Sequence, residues 1–74
     1  MEEYSRIVIE NYCEKYKSDP RFQRLAKIVA RSYKIDSLYK SDEEANFVVD
    51  LIEHCADEEL TKALIDLDEF MVGY

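Results

Sequence analysis

Seventy-four residues with 10 Lys and Arg against 17 Asp and Glu, a net charge of −7, make one domain spanning residues 1–74, because so short a chain buries only about 60% of its unfolded surface and cannot sustain two cores. A hydrophobic share of 47% is ordinary for a globular domain and argues against disorder, so a packed core is expected. The longest apolar runs, such as Ile7-Val8-Ile9, are three residues against the roughly 18 that a membrane span requires; the acidic start Met1-Glu2-Glu3 is unlike a signal peptide, and two cysteines 42 positions apart form neither a disulfide framework nor a metal knuckle. These features together point to the cytoplasm.

One Gly and one Pro give too little punctuation for the tight turns of an all-β fold. The expected class is all-α, a compact bundle of four short helices, or three if the last two merge. The first helix, near residues 2–17, places Tyr4, Val8, Ile9, Tyr12, Cys13 and Tyr16 on one face, with Glu3, Glu10, Glu14 and Lys17 opposite. Asp19 and Pro20 then supply an N-cap and a first helical residue that needs no backbone N–H. The second helix, near 20–35, has a stripe of Phe22, Leu25, Ala26, Val29 and Tyr33, with Ile28 at its edge. A loop from Ile35 to Lys40 follows, from which Leu38 and Tyr39 can dip back onto the core.

Ser41 and Glu44 have the spacing of a capping box, and open a third helix striped by Ala45, Val48, Leu51, Ile52 and Cys55. Asp57 starts a fourth, with Glu58 and Glu59 favourably placed against its dipole and a stripe of Leu60, Ala63, Leu64, Leu67, Phe70 and Met71. On one continuous helix these two stripes would be rotated by roughly 100° or more from each other. A turn near Ala56-Asp57 realigns them. Gly73 closes the last helix in a left-handed conformation.

Catalysis finds little support in this pattern. His54 and Cys55 are adjacent, so on a helix their side chains diverge by about 100° and do not form a nucleophile–base dyad. Zinc needs about four convergent ligands, whereas Cys13, His54 and Cys55 offer three at most. A single glycine rules out a Gly-rich phosphate loop. The expectation is no enzyme, no metal and no cofactor.

Charge is the informative feature. Residues 1–40 have a net charge of +3 and residues 41–74 a net charge of −10. Arg24, Lys27, Arg31 and Lys34 follow one another at helical steps of three and four, a basic stripe with no acid between Pro20 and Ile35. Asp50, Glu53 and Asp57 belong to an acidic ridge along the third helix. Six tyrosines are many for this length, and tyrosine is enriched at binding surfaces; Tyr39 in the loop and Tyr74 after the glycine are the expected exposed aromatics. The function read from these features is a small acidic protein-interaction module, a regulator, inhibitor or adaptor acting by steric and electrostatic occlusion of a larger macromolecule. A structural homo-oligomer, with the basic face of helix 2 against the acidic ridge of helix 3 in a second copy, is the alternative. Nucleic-acid binding through the basic stripe ranks third, since a domain with pI near 4.6 repels a polyanion overall.

Overall fold

The computed structural model describes residues 1–34 and 37–73, with four helices and no strand among them: α1 Glu3–Lys15, α2 Pro20–Arg31, α3 Asp42–Glu53 and α4 Glu58–Val72. Local chemistry sets these bounds. The Asp19 carboxylate accepts the Arg21 N–H at 2.9 Å and Pro20 follows it, while Asp57 accepts the Leu60 N–H at 2.8 Å, so both caps hold orphan amides of a first turn. Ser41 accepts the Glu44 N–H at 3.3 Å. The expected capping box is half made, however, because Glu44 turns to the Lys40 N–H at 3.0 Å and to the Arg31 guanidinium instead of the Ser41 N–H.

The third and fourth helices are separate, as the phase of their stripes requires. His54 closes α3 through its N–H on the Asp50 carbonyl, and residues 54–57 make the turn. At the far end Gly73 has φ +88°, the left-handed cap that glycine adopts at no steric cost. The second helix is shorter than expected, ending at Arg31 and not near 35: the Ser32 N–H and hydroxyl both donate to the Val29 carbonyl, at 3.0 and 2.5 Å, tightening the chain out of the α geometry. No described helix is long and apolar enough to cross a membrane.

The helices pack in the order α2, α1, α4, α3, with α1 against both α4 and α2 and with α3 on α4. Their shared core is Val8, Ile9, Cys13, Leu25, Ile28, Val29, Val48, Leu60, Ala63, Leu64, Leu67 and Met71. Two expected stripes are rotated by this arrangement. On α1, Tyr4 and Tyr16 are 62% and 41% exposed while Ser5 is buried, because α4 and α2 both press on the Ser5–Val8–Ile9–Cys13 side. On α2, Ile28 sits in the core, and Tyr33, past the helix end, is 61% exposed. Among the described residues no buried side-chain nitrogen or oxygen lacks a hydrogen-bond partner.

Candidate functional site

In this order α2 and α3 are not among the closely packed helix pairs. Side chains span the gap. Arg31, near the end of α2, pairs with Glu44 at the start of α3; Arg24 lies 4.5 Å above the Phe47 ring and 3.7 Å from the Glu43 carboxylate. Arg21 feels the charge of Asp50. The two helices therefore run antiparallel. The Arg31–Glu44 pair ties one end of the gap, and towards the Pro20 and His54 end it opens into a groove of about 680 Å³.

Leu25, Leu60 and Leu64, all core residues, form the floor of this groove, and the half-buried Phe22, Phe47 and Leu51 form its walls. Arg21 and Arg24 rim the α2 side; Asp50 and His54 rim the α3 side. The volume lies within the roughly 300–1,000 Å³ usual for binding sites, and an apolar lining with a few polar groups at the edge is their usual chemistry. Sequence reasoning placed Phe47 on no stripe. The signal was present nonetheless: Phe47, Asp50, Leu51 and His54 recur at i, i+3, i+4 and i+7, the positions of one helical face.

The expected basic stripe is broken. Lys27 and Lys34 are exposed and Arg24 is 44% exposed, but the Arg31 side chain is 20% exposed and committed to Glu44, itself 15% exposed. Burial would push the Glu44 carboxyl up, yet the Lys40 N–H and the Arg31 guanidinium hold it below its usual value. Arg31 is an internal strut, a correction to its assignment to a partner-binding face.

The acidic ridge also loses a member. Asp50 and Glu53 are exposed on α3, but Asp57 lies beyond that helix as the N-cap of α4. The Leu60 N–H and the Tyr12 hydroxyl lower its pKa. Asp50, Glu53 and His54 hold donor atoms within 4.8 Å of one another, all exposed, on a single helical turn and short of the four convergent ligands that zinc takes. His54 Nδ1 lies 3.2 Å from the Asp50 carboxylate and 2.9 Å from its carbonyl, and that carbonyl and charge raise the imidazole pKa. Cys55 donates instead to the Asp57 carbonyl, at 3.4 Å. The two neighbouring side chains thus engage different groups.

The tyrosines serve largely as intramolecular clips. Tyr4 donates to Glu59 at 2.7 Å, Tyr33 to Glu10 at 2.7 Å and Tyr39 to Asp68 at 2.8 Å, and the Tyr33 ring also carries the Arg6 guanidinium at 4.1 Å. The Asp57 carboxylate, with some burial, pushes Tyr12 up to about 12. Tyr39, expected to be an exposed anchor, is half-buried, its N–H on the Met71 carbonyl at 3.0 Å. Burial and the Asp68 carboxylate both raise its pKa. Tyr39 docks on α4 because its N–H and hydroxyl find acceptors there. Tyr74 lies outside the described residues.

A scan against protein-family models finds no match to this chain, and searches of curated proteins and of solved structures find none either.

Proposed function

We propose that this chain is a small protein-interaction module, a regulator, inhibitor or adaptor that acts by occluding the surface of a larger macromolecule and carries no chemistry of its own. The observation that supports this reading is the α2/α3 groove: half-buried Phe22, Phe47 and Leu51 over a leucine floor, between a rim of Arg21 and Arg24 and a rim of Asp50 and His54. Such a site gains binding free energy from apolar burial at its centre, and the charged rims fix orientation and exclude wrong partners. The tyrosine-bearing surface carries less of the reading than the sequence suggested, since four tyrosine hydroxyls face carboxylates of the same chain. Both cysteines are unbonded, which fits the reducing cytoplasm proposed as its location.

A photo-reactive phenylalanine analogue at Leu51 tests the groove in the native host. Photolysis is expected to yield an adduct heavier than the chain, absent when the same analogue replaces exposed Lys34 and diminished several-fold by Phe47→Ala in a variant that still melts cooperatively. Equal labelling from Leu51 and Lys34 would overturn the assignment of the groove as the docking face.

A further inference from the structure

The groove is two-signed, and its charges are level with one another. The antiparallel pairing that sets Arg31 on Glu44 and Arg24 over Phe47 brings Arg21, one turn further along the α2 wall, level with Asp50 on the α3 wall. Both side chains remain open to solvent, 66% and 71% exposed, although Arg21 also holds Asp19 of its own turn at 3.0 Å and Asp50 lies 3.2 Å from the His54 imidazole. The two helices are antiparallel and equally long, 12 residues each, or about 18 Å at 1.5 Å per residue.

These facts restrict what can cover the groove. A half-turn about an axis lying along the groove keeps every residue at its level and exchanges the two walls. It lays α2 of one copy over α3 of the other, antiparallel, with Arg21 facing Asp50 twice and Phe22, Phe47 and Leu51 of both copies meeting between. A half-turn about an axis across the groove sets α2 on α2 and α3 on α3, so that like charges meet. A helix pair with an acid on one edge and a base on the other at the same spacing matches these rims, and this chain carries that complement in Asp50 and Arg21.

We propose that the occupant of the groove is a second copy of this chain, packed face to face about a twofold axis along the groove, with α2 of each copy over α3 of the other. The proposal rests on reading the groove as a docking face and names what docks there. The result is a four-helix layer with neighbouring helices antiparallel, an arrangement familiar from helical bundles. The association is weak for two reasons. A standard interface takes about 800 Å² from each partner, roughly a sixth of the 5084 Å² this chain exposes and more than one groove between two 12-residue helices offers, and each copy brings a net charge of −7.

Sedimentation equilibrium of the full chain from about 10 μM to about 1 mM, a range that resolves weak dimers, tests this. The apparent mass is expected to climb from 8.8 kDa towards twice that value. Arg21→Glu and Asp50→Lys should each weaken association about tenfold or more, since each sets like charges opposite one another. The double variant restores opposite charges across the interface and should return to within about threefold of the parent. Mixing the two single variants should give a heterodimer. Circular dichroism melts confirm that each variant folds, so a loss of association is not a loss of structure. A constant 8.8 kDa, reversals without effect, or a double variant that stays monomeric overturns the second copy as occupant. A monomeric chain whose Leu51 photoadduct contains another protein overturns the copy and keeps the groove; no groove-specific adduct of any kind overturns both.

Discussion

Replacing Arg31 by Met removes a guanidinium and keeps most of the aliphatic stem, so the change isolates the bridge from α2 to Glu44. Exposed ion pairs contribute about 0–1 kcal/mol, whereas breaking a fully buried pair costs about 3–5 kcal/mol, because a charge is left without its partner. With Arg31 20% and Glu44 15% exposed, and with the Lys40 N–H still on Glu44, the expected loss is about 2 kcal/mol, between those limits. In a domain of this size that lowers Tm by about 8–16 °C. Thermal melts of Arg31→Met, Glu44→Gln and the double variant at pH 7 should yield a coupling of about 1 kcal/mol or more. The pH dependence has a definite sign. The folded Glu44 pKa lies below its ordinary 4.5, so the contribution is fully present above that value and is lost as pH falls through the folded pKa; the gap between parent and Arg31→Met should therefore close in acid. A coupling below about 0.3 kcal/mol, the ordinary scatter of independent sites, would refute the strut and return Arg31 to the solvent-facing stripe.

Tyr39→Phe removes the hydroxyl on Asp68 and should lower stability by about 1–2 kcal/mol, read as a lower urea midpoint with an unchanged slope. At high pH, stability should hold to about pH 9 and then fall. The unfolded cysteine ionises from there while burial holds the folded Cys13 thiol up to about 11, and above about pH 10 unfolded tyrosines follow while folded Tyr12 holds its proton to about 12 and Tyr39 is also raised, so rising pH favours the unfolded state. Melts of the Tyr12→Phe/Tyr39→Phe variant should show a shallower alkaline loss. Gly73→Ala should cost about 1 kcal/mol by forcing alanine into a left-handed cap at φ +88°, with the Leu38 side-chain tip 2.6 Å from the new methyl and free to shift; a Tm equal to the parent's would refute that cap. Thiol labelling should modify half-buried Cys55 first, since Cys13 is buried and burial pushes its thiol up to about 11.

What the sequence alone determined about this protein is what short-range chemistry determines. Asp19-Pro20, Ser41 and Asp57 open helices wherever the rest of the chain goes, because a cap is a bond between near neighbours, and Gly73 closes one for the same kind of reason. The break between α3 and α4 was legible without any Gly or Pro, since two apolar stripes out of phase cannot face one core on one straight helix. Tertiary structure decided which residues of each stripe are buried and what the polar groups bond to. Ile28 reached the core because α1 packs on that side of α2, and Tyr33 left it because the helix stops at Arg31, before that residue. Arg31 and Glu44 are 13 positions apart, Tyr39 and Asp68 29; such pairs follow from how the helices stack. The groove is the clearest case: every residue lining it was visible in the sequence, but the space exists because α2 and α3 are not a closely packed pair and meet through side chains such as Arg24 over Phe47, leaving Phe22, Phe47 and Leu51 half-buried at its walls.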